Sequence, residues 1–344
     1  MKPAAIVLIL STLLGNATAI AQRASPNPQT ANEPPAFTKE PGFLGQKYFG
    51  EGNYAKLESV VADFAKAKTR TDDGRYALYM LISELHKWFE VWGAESDALM
   101  AGHLEYWSKQ FPNSALQPIV AAMQMHVTAW RARGKGFSST VTEEGWRLFK
   151  ERNQRAWKIL IDHKEVSSSL PTWYERAIRI GSDAGLSDDA LRDLFDEGIR
   201  RYPGYHPIYF AYIRELAPRW GGSYAEADTF IREQTAAKGI SDSDELYTRM
   251  YWTLDQIEQG SSSFFQESKV SWPRMRKGFE RMMRAYPKSA RNQAHFAMFA
   301  CRARDGTTYG ILRSNIDPGQ FKEAAPTGIS LEVCDARFMK TTMR

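Results

Sequence analysis

Gln110-Phe111-Pro112-Asn113-Ser114, Arg201-Tyr202-Pro203-Gly204-Tyr205 and Ala285-Tyr286-Pro287-Lys288-Ser289 carry one repeated mark, an aromatic residue followed by proline. Each mark follows an amphipathic run, and a second run begins within a few residues. Proline disfavours helical backbone in the residue before it, so each mark ends one helix and frees the chain to begin another. Stacked helical hairpins are punctuated in this way.

Working outward, helical periodicity covers most of the chain and period-two runs of Val, Ile and Thr are nearly absent. From Ser187 onward, Leu191, Leu194, Phe195, Gly198, Ile199 and Tyr202 share one stripe. That stripe needs a partner helix. The pattern predicts six helix pairs: 53–68 with 75–91, 95–111 with 114–133, 143–163 with 170–184, 187–201 with 206–217, 223–238 with 243–259, and 272–286 with 289–304. Asn53 and Ser223 sit where a side chain accepts the free N–H groups of a helix start. Ser223 with Glu226 also reads as a capping box. The fold class is therefore all-α, an α-solenoid of stacked antiparallel hairpins resembling tetratricopeptide repeats.

The ends read differently. Residues 1–21 have the form of an export signal: Lys2, an apolar stretch over 4–14, and a small-x-small site at Ala19-Ile20-Ala21. The apolar run is shorter than the roughly 20 residues a bilayer-spanning helix needs. No cysteine stands near the cleavage site, so no lipid anchor is expected, and the mature chain is expected in the periplasm or outside the cell. Residues 22–41 are rich in Pro, Asn, Gln, Ser and Thr and read as a disordered linker. The helical-repeat domain is expected over 42–305, and a Gly- and Pro-containing tail over 306–344 is expected to cap it.

The net charge is +5, with a pI near 9.0 and both signs mixed along the chain. No basic block of the kind that binds nucleic acid is present. Cys301 and Cys334 are the two cysteines, and an oxidising compartment permits a bond between them; two separate thiols are the alternative.

Arg201-Tyr202-Pro203-Gly204-Tyr205-His206-Pro207-Ile208-Tyr209 and Pro218-Arg219-Trp220-Gly221-Gly222-Ser223 resemble a family of exported bacterial proteins. Their shared domain of unknown function is related to tetratricopeptide repeats. The resemblance runs over about 85–305. It implies an all-helical stack and carries over no catalytic residues. Read from the residues alone, Pro218 stops a helix, Gly221 and Gly222 make the turn, Ser223 starts the next helix, and Trp220 is expected as a buried wedge, with a ligand platform as the other reading.

The six histidines, the carboxylate pairs and the glycines fall into no catalytic or metal-binding motif. HExxH, GxSxG, P-loop and dinucleotide patterns do not occur. His86 and Glu90 lie one turn apart, as surface pairs often do. Asp188-Asp189 and Glu143-Glu144 stand at helix starts, where the helix dipole favours them. No cofactor, metal ligand or catalytic residue is assigned. Ten tryptophans, spread over nearly every hairpin, serve either as core or as an aromatic lining for a ligand. The expected function is a protein- or peptide-binding scaffold in the cell envelope. The alternative is an envelope enzyme or binding protein acting on peptidoglycan or another polysaccharide.

Overall fold

The computed structural model describes residues 41–91, 93–237, 242–325 and 328–338. The signal sequence expected over 1–21, and all of the expected linker but Pro41, lie outside the described residues. Within them the chain is all-α: eighteen α-helices, short 3-10 turns, and one isolated bridge between Arg70 and Tyr76. The helices fall into two compact units. Where the sequence reads a single repeat domain over 42–305, the structure divides the chain at Ser167 and gives residues 68–79 to the second unit.

The first unit holds α1 (Pro41–Gly50), α2 (Tyr54–Ala67), most of α3 (Ala77–Val91), α4 (Asp97–Gln110), α5 (Gln117–Arg133), α6 (Glu143–Asp162) and the single turn α7 (Lys164–Ser167). Asn53 opens α2 as its sequence suggests, its Oδ1 accepting the Lys56 N–H at 3.2 Å. The core is aromatic. Tyr54 stacks on Trp107 with centroids 4.9 Å apart and planes 6° from parallel, and Phe49 packs edge-on beside both. All three are buried. Tyr54 Oη and His103 Nδ1 share a hydrogen bond of 2.6 Å. Helix α5 lies along α6, and Arg131 ties the start of α4 by pairing with Asp97 at 2.7 Å.

The second unit holds α8 (Pro171–Ala184), α9 (Asp188–Arg201), α10 (His206–Leu216), α11 (Tyr224–Ala236), α12 (Ser243–Ile257), the single turn α13 (Phe264–Glu267), α14 (Trp272–Ala285), α15 (Ala290–Arg302), α16 (Gly306–Arg313), α17 (Pro318–Ala324) and α18 (Leu331–Phe338). Its main packing joins helices adjacent or next-but-one in the chain: α8 on α9 and α10, α10 on α11 and α12, α12 on α14, α15 on α16 and α17. Small residues permit the close approaches; a Cβ on Gly278 of α14 would stand 2.1 Å from the Asp244 carbonyl oxygen on α12. Ser187, Ser223 and Ser289 each accept the N–H of the third following residue, satisfying backbone groups a helix start leaves free.

The three aromatic-Pro marks share one backbone conformation. Phe111, Tyr202 and Tyr286 have φ −129°, −134° and −131° with ψ 68°, 61° and 63°, and each still donates its N–H to the last turn of the preceding helix. Proline thus forces the exit angle without costing the final helical hydrogen bond.

The expected pairing is altered in two places. Helices α6 and α8, read as one hairpin (143–163 with 170–184), belong to different units. The tail expected as a cap, for which no helices were expected, contains the short helices α16, α17 and α18. Tyr309 and Phe321 anchor them by burial, and the structure joins Cys301 of α15 to Cys334 of α18 with Cα atoms 5.8 Å apart. Their apolar anchors are too few to give a visible period.

Residues 68–76 form a tight loop rather than a bare connector. Thr71 donates to the Arg75 carbonyl at 2.8 Å, Gly74 to Thr71 at 3.0 Å, and Ala77 to Thr69 at 2.9 Å. Gly74 has φ +83°, and a Cβ there would stand 2.4 Å from Tyr286 Cε2, so both the backbone angle and the space require glycine.

Candidate functional site

Residues 201–209 and 218–223 act mostly as structural supports. Tyr202 Oη donates to the carbonyls of Ser168 (3.0 Å) and Ser169 (2.7 Å), and Tyr209 Oη to that of Pro203 (2.9 Å). Tyr205 packs against Tyr76 at 4.7 Å. Pro218, Arg219 and Trp220 form a 3-10 turn, and the Arg219 N–H donates to Glu258 Oε1 at 3.0 Å. Gly221 takes the left-handed conformation at φ +101°. Gly222 serves closeness rather than angle, since a Cβ would meet the Leu216 carbonyl oxygen at 2.3 Å. Trp220 is not the buried wedge expected: it is 40% exposed, with the Arg214 guanidinium 3.9 Å over its ring. Of the marked residues, Pro207 lines a cavity.

That cavity, about 160 Å³, lies within the second unit. The loop 68–76 supplies Arg70, Gly74, Arg75 and Tyr76; the start of α3 supplies Tyr79; α10 supplies His206, Pro207 and Phe210; α12 supplies Arg249, Trp252, Thr253 and Gln256; α15 supplies Arg291. Four arginines face it and, among the described residues, no carboxylate side chain lines it.

The arginines are held in place by the loop they surround. Arg70 Nη1 donates to the Gly74 carbonyl (2.8 Å) and Nη2 to Tyr76 Oη (2.7 Å), with its guanidinium 3.5 Å over the Tyr76 ring. Tyr76 Oη in turn donates to the Gly204 carbonyl. Arg75 Nε pairs with Asp73 at 2.6 Å. The buried Arg249 bonds Glu245 through Nε (2.7 Å) and the Asp73 carbonyl through Nη2 (2.9 Å). Arg291 lies 4.4 Å over the ring of Trp252 and 4.0 Å from the Asp73 carboxylate. The buried Nε1 of Trp252 has no hydrogen-bond partner among the described residues.

The electrostatics follow from burial and from like charge. Burial first, then the neighbouring Arg75, lowers Arg291 to about 10. His206 is pushed well below its ordinary range by burial and by the cations Arg249 and Arg70. His295, against Trp252 at 4.0 Å, falls to about 3, chiefly by burial and then by Arg291. Both imidazoles are therefore neutral near pH 7. Burial alone would raise Asp73, but Arg75, the Thr71 hydroxyl, the Arg75 N–H and Arg291 together hold it below the usual carboxylate range. Such a site attracts anions, and guanidinium forks match planar or tetrahedral oxyanions.

Sequence reasoning missed all four arginines. They lie at 70, 75, 249 and 291, and arginine at such spacings reads as solvated surface. The available signal was local: Thr71-Asp72-Asp73-Gly74-Arg75 is a turn sequence between two helices, with more hydrogen-bonding side chains than a connector needs. Elsewhere, His86 and Glu90 approach to 3.7 Å, and no cluster of three metal-ligating side chains occurs among the described residues. Glu58 and Asp255, raised chiefly by burial, belong to different units. No helix among the described residues is long and apolar enough to cross a membrane. Comparison with protein-family models, with curated proteins and with solved structures gives no match.

Proposed function

We propose that the protein is an exported helical-repeat scaffold of the cell envelope, and that the arginine-lined cavity is where it holds an anionic group of a protein or peptide partner. The single observation that carries this reading is the convergence of four guanidiniums and several aromatic rings on one cavity whose lining has no carboxylate. General acid-base hydrolysis of a polysaccharide needs a pair of carboxylates at the bond being cut. A cationic, aromatic cavity instead supplies recognition.

The stacking of the second unit supports the finer architecture proposed here, a tetratricopeptide-like solenoid. Helices pack on sequence neighbours and next neighbours, and the same aromatic-Pro exit recurs. The resemblance of 201–209 and 218–223 to exported repeat proteins points the same way, as does the signal-like sequence over 1–21.

The test places a photocrosslinking amino acid at Phe210, on the cavity wall, and irradiates intact cells. The expected result is a reproducible envelope partner, lost in Arg70→Gln and Arg291→Gln. A crosslink pattern indifferent to both substitutions would sink the reading. N-terminal sequencing of protein from the periplasmic fraction tests export: a start at Gln22 is expected.

A further inference from the structure

We propose that the cavity selects a phosphoryl dianion, an inference that rests on the reading of this cavity as the working site. The argument is charge balance at close quarters. Arg75 is paired with Asp73 at 2.6 Å and Arg249 with Glu245 at 2.7 Å. Arg70 directs its Nη1 and Nη2 at neutral acceptors, the Gly74 carbonyl and Tyr76 Oη. Arg291 has as its nearest carboxylate the same Asp73, 4.0 Å away and already engaged by Arg75. Two guanidinium charges, on Arg70 and Arg291, are thus left without a carboxylate of their own, and both side chains are part exposed and open to a ligand.

The four groups are also close together, because all are anchored on two consecutive residues. Arg75 and Arg291 approach the Asp73 carboxylate, Arg249 bonds the Asp73 carbonyl, and Arg70 bonds the Gly74 carbonyl. A compact doubly charged group matches two open charges gathered around one loop tip. A monocarboxylate leaves one of them uncompensated, and an extended dicarboxylate carries its charges apart. The tetrahedral oxygens of a phosphate monoester accept from several directions at once. Phe210, from α10, suits the body of an ester beyond the phosphoryl group.

Free phosphate and a phosphate monoester share this chemistry, and calorimetric titration of the full chain separates them. The probes are inorganic phosphate, glycerol phosphate, methyl phosphate, dimethyl phosphate, acetate and succinate at one ionic strength and pH 8. Methyl phosphate, a dianion, is expected to bind at least roughly tenfold tighter than dimethyl phosphate, a monoanion, since one charge-assisted contact is at stake. Tighter binding of glycerol phosphate than of inorganic phosphate assigns the ester; equal binding assigns the free ion.

Arg70→Gln and Arg291→Gln should each weaken binding about tenfold or more, and Arg70→Lys should recover part of the loss. Arg192→Gln, on α9 and 42% exposed, should leave it unchanged. Melting curves establish that each variant is folded, and Arg291, 29% exposed, is the safer variant if Arg70→Gln unfolds. Dimethyl phosphate bound as tightly as methyl phosphate, or affinity indifferent to both glutamine variants, overturns the proposal. Acetate and succinate bound as tightly as phosphate overturn it while leaving an anion site standing. No binding by any anion overturns both this proposal and the reading beneath it.

Discussion

The side-chain amide of Asn292 donates to the backbone carbonyl of Asp73 at 3.1 Å, joining residues 219 positions apart. Asn292 is fully buried, and the same carbonyl also accepts from Arg249 at 2.9 Å. The loop 68–76 is thus fastened at its tip from α12 and α15 together.

Loosening that tip should destabilise the second unit. Gly74→Ala places a Cβ 2.4 Å from Tyr286 Cε2 and 2.6 Å from Arg249 Nη2, at a φ that side chains avoid. A cost of about 1–3 kcal/mol is expected in urea melts, with Asn292→Ala costing a similar amount through the carbonyl it abandons. Unchanged melts for both would show that the loop is not fastened.

Stability should decline as pH falls below about 6.5. His295 has a folded-state value of about 3 against 6.5 for a free imidazole. Between these values the unfolded chain binds a proton that the folded chain refuses, so folding weakens by up to about 1.4 kcal/mol per pH unit per such histidine. His206 acts in the same direction. Glu58 and Asp255, raised chiefly by burial, act with the opposite sign nearer the carboxylate range. The histidine share is therefore read as the difference between wild type and His295→Gln across pH 4–7. A pH slope identical in the two proteins would refute it.

The bond between Cys301 and Cys334 closes a span of 33 residues. On the chain-entropy model its loss costs about 3–4 kcal/mol. The double variant Cys301→Ser/Cys334→Ser should melt earlier than the oxidised protein, and reductant should move wild type alone toward it.

Two tryptophans should respond unequally. Trp107 is fully buried and donates to Glu58 at 3.0 Å, so Trp107→Ala should cost about 3–5 kcal/mol. Trp220, 40% exposed beneath Arg214, should cost about 1 kcal/mol or less on the same change. Comparable losses at both positions would mean that Trp220 is wedged after all.

Much of the fold was legible because local rules decided it. The run read over 223–238 is helix Tyr224–Ala236, started by Ser223, and the run over 187–201 is Asp188–Arg201, ended by Tyr202-Pro203. Helix α1 escaped notice because Gly42 and Gly45 break its apolar stripe. The cavity was illegible for a different reason. Arg70, Arg249 and Arg291 meet through tertiary placement of a loop, and no period or spacing encodes that. The exposure of Trp220 was likewise settled by the turn geometry around Ala217 and Gly221, not by the residue type.

The fastening of loop 68–76 also sets an order on assembly. Asn292 is synthesised 219 residues after Asp73. At roughly 5–20 residues per second, the turn sequence waits on the order of 10–40 s before the helix that secures it exists. Arg249 follows Asp73 by 176 residues, so Asp73 first has neither partner and then has Arg249 without Asn292. A nascent chain arrested before residue 290 should therefore be cut at this loop by a protease that spares the finished protein, and a fragment beginning at Ser168 should lack one wall of the cavity however well its helices form.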